Sequence, residues 1–190
     1  MKAGILLFDG VEVLDFAGPY EVLSAARQGE SLCFATSTVA EKTSVVCSGG
    51  LQVISDFTFE SAPDFDILVV PGGPGTRGEA SRRQNICRYI ARAAQQAEQI
   101  AGVCTGTFLM AEAGLLDGIP VTTHHRRREA LRQQYPGLEV VEAKVLDGGK
   151  IITAGGVSSG IDMALYLVEK FFGKEAAAAE RERIEYGINF

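Results

Sequence analysis

The sequence predicts an α/β protein with a doubly wound, mainly parallel sheet sandwiched by helices. Three observations predict it. Short apolar runs such as Ile5-Leu6-Leu7-Phe8, Asp66-Ile67-Leu68-Val69-Val70 and Ile100-Ala101-Gly102-Val103 have the length of strands buried on both faces. Segments with helical patterning alternate with these runs, the order that builds parallel sheets. Two of the runs end abruptly in glycine-rich turns, Pro71-Gly72-Gly73-Pro74-Gly75 and Gly102-Val103-Cys104-Thr105-Gly106. The C-terminal ends of parallel strands are where such sheets build ligand sites.

Taken in order, Ile5–Phe8 is the first strand, followed by a loop from Asp9 to Gly18. Pro19 then sits where a first helical turn tolerates proline, opening a helix to Arg27 with Val22, Leu23 and Ala26 on one side. Leu32–Ala35 reads as a second strand, and Val45–Ile54 as a small hairpin around Gly49-Gly50. The strand Asp66–Val70 precedes an amphipathic helix over residues 79–97. After the strand at Ile100–Val103, Phe108, Leu109, Leu115 and Leu116 recur at helical spacing, and Gly114 to Gly118 supplies a stop. Val121-Thr122-Thr123 is a short strand. His124 and His125, the two histidines of the chain, would face opposite ways if that strand continued through them. Arg126-Arg127-Arg128 opens a helix to Gln134 and reads as a solvated helix face. Val140–Leu146 and Lys150–Ala154 pair across Asp147-Gly148-Gly149. Gly155–Gly160 reads as the capped start of a helix, with a lining role at the site as the alternative; Ile161, Ala164, Leu165 and Val168 share one face of that helix, and Lys174–Phe190 reads as a last helix. With neither linker nor repeat, residues 1–190 are expected to form a single domain.

Bulk properties narrow the function. The chain has 190 residues, 46% hydrophobic and 22% charged, ample for a core. Its net charge of -6 argues against nucleic acid as the main partner. The apolar run after Lys2 stops at Asp9, too short for a signal peptide, and no stretch approaches a membrane span. Cys33, Cys47, Cys87 and Cys104 lack C-x-x-C spacing, which argues against a zinc site. Reduced thiols without a secretory signal point to the cytoplasm.

The chemistry centres on Cys104. Gly102-x-Cys104-x-Gly106 lies between a strand and a helix, the arrangement of a nucleophile elbow with sulfur in place of oxygen. Glycines at both shoulders permit a sharp turn, and the helix start favours thiolate over thiol. Position between strand and helix favours a reactive thiol over a structural buried cysteine. Asp15, an acid between Leu14 and Phe16, fits either a loop carboxylate paired with backbone N–H groups or a ligand-site residue. The turn Pro71–Gly75 offers backbone N–H groups to a phosphate or an oxyanion, or is simply a tight loop; it has no phosphate-loop lysine.

Asp15, Pro71-Gly72-Gly73 and Gly102-Val103-Cys104-Thr105-Gly106 together resemble the ThiJ/PfpI superfamily, over Lys2 to about Phe172. The resemblance implies a flavodoxin-like, class I glutamine amidotransferase-like sandwich. It implies Cys104 as nucleophile, Asp15 as the acid beside the sulfur, and N–H groups at Gly72, Gly73 and Thr105 near an oxyanion position. Thr105 after the cysteine resembles the isonitrile hydratase branch, in which aspartate, cysteine and threonine act together, with His124 supporting. That implies a cofactor-independent, metal-free hydro-lyase acting on a small molecule, and a homodimer. A glyoxalase, deglycase or amidase-type reaction through the same cysteine is the alternative. The same residues also resemble the ligand-sensing domains of AraC-type regulators, hence a non-enzymatic or redox sensor. No histidine follows His125, so the glutaminase His-x-Glu pair is missing. A thiolate at Cys104 facing a protonated Asp15 is the expected resting state.

Overall fold

The structure, a computed structural model, describes residues 1–187. In chain order the elements are β1 (Lys2–Leu7), α1 (Val13–Ala25), β2 (Arg27–Gln28), β3 (Ser31–Leu32), β4 (Ala35–Ala40), β5 (Ser44–Val46), β6 (Gln52–Ile54), β7 (Phe57–Thr58) and β8 (Ile67–Val70). They continue as α2 (Ala80–Gln96), β9 (Gln99–Val103), α3 (Gly106–Glu112), β10 (Pro120–Val121), α4 (Arg128–Gln134), β11 (Glu139–Val140), β12 (Val145–Asp147), β13 (Ile151–Ala154), α5 (Ser159–Phe172) and α6 (Lys174–Arg183).

Seven strands form the central sheet in the order β12-β13-β9-β8-β1-β4-β7. Every pairing is parallel except the antiparallel β12–β13 edge. Strands β1, β8 and β9 have buried residues at successive positions from Ala3 to Leu7, Ile67 to Val70 and Gln99 to Val103. Continuous burial of this kind requires cover on both faces. Consecutive strand residues point to opposite faces, and the ends of β9 show what covers each. A Cβ on Gly102 would strike the Met110 sulfur of α3, whereas the Val103 side chain lies against Gly160 of α5. Helix α2 packs with α3; α1 and α6 pack with α5. The doubly wound sandwich is thus the observed architecture.

Several elements depart from the sequence expectation. Helix α1 begins at Val13, and Pro19 lies inside it. Proline there lacks the N–H that would bond the Asp15 carbonyl, yet the helix continues because its neighbours hold it. A Cβ on Gly18 would lie 2.9 Å from Ile161, and one on Gly160 would lie 3.1 Å from Pro19. Close α1–α5 contact therefore overrides the proline. Asp15 and Phe16 are helical and buried, not in an exposed loop. The sheet strand after α1 is Ala35–Ala40 rather than Leu32–Ala35; its polar Thr36-Ser37-Thr38 conceals a strand that pairs with β1 along its length. Edge strand β7 carried too little apolar signal to be expected. Leu115 and Leu116 lie beyond α3, which stops at Glu112 before Gly114 with φ of 74°. The histidines are not on a strand: His124 caps a 3-10 turn over His125–Arg127, and the two rings meet edge-on at 4.6 Å. The last helix ends at Arg183, and residues 188–190 of its expected span lie outside the described residues. The hairpin at Gly49-Gly50 and the helix over residues 80–96 agree with expectation.

Candidate active site

Three chain segments converge at the C-terminal ends of β1, β8 and β9. The first turn of α1 brings Asp15, the turn after β8 brings Gly72 and Gly73, and the turn after β9 brings Cys104 and Thr105. Cys104 has φ of 56°, a left-handed conformation that a residue with a Cβ adopts at a cost of about 1–3 kcal/mol. The surrounding bonds hold it there. Its N–H donates to the carbonyls of Ala154 and Gly155 at 3.1 and 2.9 Å. Its carbonyl accepts from the hydroxyl of Thr123 at 2.6 Å and from that of Thr107 at 3.3 Å. Gly106 makes the turn sterically possible, because a Cβ there would collide with the Val70 carbonyl. The outcome is a thiol held on a strained corner and almost wholly buried.

Asp15 is fully buried. Its Oδ2 accepts the N–H of Gly72 at 2.9 Å. Its Oδ1 has no hydrogen-bond partner, although the Cys104 thiol lies close enough for each group to alter the other's ionisation. The two groups face each other without a formed hydrogen bond, since Oδ1 meets no donor at bonding geometry. Burial, far more than the nearby Glu12, raises the Asp15 carboxyl to about 7, against the pull of the Gly72 N–H and the thiol. Burial and the Asp15 charge push the Cys104 thiol up to about 12. The N–H groups of Thr105 and Val157, which face the sulfur, pull the other way. These directions run against a resting thiolate set by the helix start alone. A seven-residue helix and two N–H groups do not outweigh burial beside a carboxylate. The pair as a unit holds one proton across the neutral and alkaline range, since two adjacent anions repel.

The N–H groups expected to face an oxyanion are engaged elsewhere. Gly72 donates to Asp15, and Gly73 donates to the Thr105 hydroxyl at 2.9 Å. The open turn instead locks the two partners of Cys104 into position. A Cβ on Gly72 would lie 2.5 Å from the Thr105 nitrogen, 2.6 Å from its hydroxyl and 2.8 Å from Asp15 Oδ2. The missing donor was Val157, from the loop that the sequence presents as a helix cap; nothing in its residue type signals the role. Thr123 and Thr107 were likewise missed, because their contribution is to bond a backbone carbonyl. His124 lies with its ring against Gly156, where a Cβ would be 2.9 Å from its Cδ2. Its Nδ1 accepts the Arg126 N–H at 3.2 Å, which places the ring proton on Nε2. Burial, then the charges of His125, Arg126, Arg127 and Arg128, hold it below the usual histidine range and neutral. Among the described residues no cluster of three or more His, Cys, Asp or Glu could hold a metal ion.

Fold and site together define a parallel α/β sandwich protein with a cysteine on a strained strand-to-helix turn beside a buried acid. The chain belongs to the DJ-1/PfpI family, whose family model matches residues 1–170. It is 34% identical over 186 residues to the isonitrile hydratase of Pseudomonas putida, covering 98% of this chain and 78% of that protein. It is 29% identical to the HTH-type transcriptional regulator GbdR of Pseudomonas aeruginosa over 96% of this chain, and spans about half (50%) of that regulator's length. Among solved structures, a ThiJ/PfpI family protein from Pseudomonas syringae superposes with a TM-score of 0.87 at 29% identity, covering 100% of this chain and 76% of that one.

Proposed function

We propose that the protein hydrates isonitriles to N-substituted formamides, with Cys104 as nucleophile and Asp15 as proton donor and acceptor. The observation that carries this reading is a fully buried carboxyl, Asp15, facing the sulfur of Cys104 on a strained strand-to-helix turn. An isonitrile presents its lone pair and its electrophilic centre on one terminal carbon, so nucleophile and acid must act at one point. In the first step the sulfur forms a C–S bond to that carbon and the pair's proton passes through Asp15 to the same carbon. A thioimidate results, with Asp15 left as carboxylate. Asp15 then takes a proton from water while the oxygen adds to carbon and the nitrogen acquires the second water proton. Closure of the C=O bond breaks C–S, returning the monoanionic pair and releasing the formamide. No external oxidant, reductant or metal enters this balance. Thr105, whose hydroxyl is tied to the Gly73 N–H, orients the attacking groups, and the N–H groups of Thr105 and Val157 stabilise sulfur as it charges and departs. His124 supports the wall of the site. Identity to the Pseudomonas isonitrile hydratase over nearly the whole chain supports the same reading.

The test is product analysis with cyclohexyl isonitrile. The corresponding N-formyl amine should accumulate with the wild type and be absent with Cys104→Ser and with Asp15→Asn. Lactate from methylglyoxal without formamide would move the assignment to a glyoxalase-type reaction. A second reading is ligand sensing without turnover, favoured by similarity to the regulator over 96% of this chain. Saturable small-molecule binding with neither product would establish it. We further propose a cytoplasmic homodimer.

A further inference from the structure

The elbow adjoins a cavity of about 170 Å³ lined by Thr76, Arg77, Arg83, Thr105, Phe108, Glu112, Arg127 and Gln134. Thr105 belongs to both places: its N–H faces the Cys104 sulfur, and it lines this cavity. Three of the lining side chains are arginines, and they differ in how they are engaged. Arg83 is paired with Glu112 at 2.6 Å, which neutralises both. Arg77 and Arg127 have no carboxylate partner among the described residues. The cavity therefore carries two uncompensated positive charges beside a candidate nucleophile.

Arg127 is the more informative of the two. Its guanidinium lies 5.9 Å from the centre of the Phe108 ring, which holds the group in place from one side. Its Nε is buried and lacks any hydrogen-bond partner. Because Nε is closed to solvent, an anion in the cavity would meet the terminal Nη groups of Arg127. A guanidinium edge has two parallel N–H groups, and a carboxylate is the acceptor that matches them in plane and spacing. The cavity also has an apolar wall in Phe108, and cavities of about 150 Å³ admit a benzene ring. Its size suits a single ring or short chain ending in a carboxylate.

We propose that this cavity is a substrate-anion subsite, in which Arg127 and Arg77 seat a carboxylate on the part of the substrate remote from the reacting carbon. The inference rests on the proposed isonitrile chemistry for the reacting end, and names the substrates as carboxylate-bearing isonitriles. Arg127 positions the anion and Arg77, at the exposed rim, adds charge at the mouth.

Binding and turnover test it separately. Calorimetric titration with benzoate should show saturable binding to the wild type. Arg127→Gln should weaken it at least tenfold, as loss of a charge-assisted contact predicts. Arg77→Gln, an exposed substitution that keeps the fold, should weaken it by a smaller factor. Inorganic phosphate should bind more weakly than benzoate. In turnover, the wild type should show a lower KM for 4-isocyanobenzoate than for phenyl isonitrile, and Arg127→Gln should shrink that ratio at least tenfold. Absence of benzoate binding, equal binding by the wild type and both variants, or preference for phosphate would overturn the subsite. If phenyl isonitrile is hydrated but benzoate does not bind, the subsite alone is wrong. If benzoate binds as described but neither isonitrile is hydrated, the proposed chemistry is wrong and the anion site stands.

Discussion

Burial acts on Asp15 and Cys104 in the same direction, against ionisation, and the contact between them lets one anion exist at the cost of the other. Below about 7 the pair holds two protons and has no nucleophile; above it one proton is lost, and the second is retained up to about 12. Activity carried by the monoanionic pair should therefore rise as pH passes through about 7 and hold steady on the alkaline side. A kcat/KM profile for formamide production that falls between pH 6 and 9 would contradict it. The same shift has a stability consequence. Asp15 has a folded-state value above its ordinary 3.8, so the native state binds more protons than the unfolded chain between the two values. Its contribution is lost as pH rises through that window and is fully unfavourable above about 7. Asp15→Asn removes that penalty, on the order of 4 kcal/mol from the size of the shift. Chemical denaturation should show the variant stabilised at pH 8 and little changed at pH 4. Because the Asp15 charge and contact both raise the thiol, the same substitution should also move the iodoacetamide midpoint of Cys104 downward.

At the scale of elements, the site depends on helices and turns approaching more closely than side chains would allow. Helix α1 delivers Asp15, and α1 is seated on α5 through Gly18 against Ile161 and Gly160 against Pro19. Gly160→Val forces these helices apart and should cost about 1–3 kcal/mol through overpacking. Formamide production should fall with it, since the displaced helix carries the proton donor. The turn after β8 is more direct in its effect. Gly72→Ala puts a methyl group among the Thr105 nitrogen, the Thr105 hydroxyl and Asp15 Oδ2. Turnover should drop by about 100-fold, the scale set by an ångström-sized misplacement of reacting groups. Full activity in a folded Gly72→Ala protein would show that the lock between these residues is dispensable.

Across the whole molecule, four of the six exposed large hydrophobic side chains among the described residues lie on the β5–β6 hairpin and the first turn of α1; the other two are Tyr20 and Leu32. Val46, Leu51 and Ile54 of the β5–β6 hairpin are exposed, Ile54 by 77%, and Leu14 in the first turn of α1 is 39% exposed. The hairpin is tied to the loop that precedes α1 by the Gly10 N–H to the Val46 carbonyl and the Ser48 N–H to the Val11 carbonyl. This face is the one that the proposed homodimer would cover. Light scattering should give twice the chain mass of 20.3 kDa, and Ile54→Glu should shift it toward a single copy. A wild type that stays at one chain mass throughout the micromolar range would remove the dimer from the proposal.

Apolar runs that must be covered on both faces, and glycines placed directly after them, were enough to indicate the fold class and the strand-to-helix turn at Cys104. Those signals are local, and so they are legible in residue order. Cys104 was singled out by its place in a strand-to-helix turn; residue order alone left Asp15 either a loop carboxylate or a ligand-site residue, and the roles expected of Asp15, Thr105, Gly72 and Gly73 came from the family resemblance. The tertiary structure decided the rest. Whether Pro19 starts or sits within a helix depended on α5; whether Thr36-Ser37-Thr38 forms a strand depended on β1 lying beside it. The N–H groups of Gly72 and Gly73 turned from an empty oxyanion position to Asp15 and Thr105 because those side chains arrive from distant segments, and the Val157 N–H took a place at the sulfur. The protonation of the pair also belongs to the fold: a helix start favours thiolate locally, but desolvation and the neighbouring charge exist only once α1 and β9 are packed together.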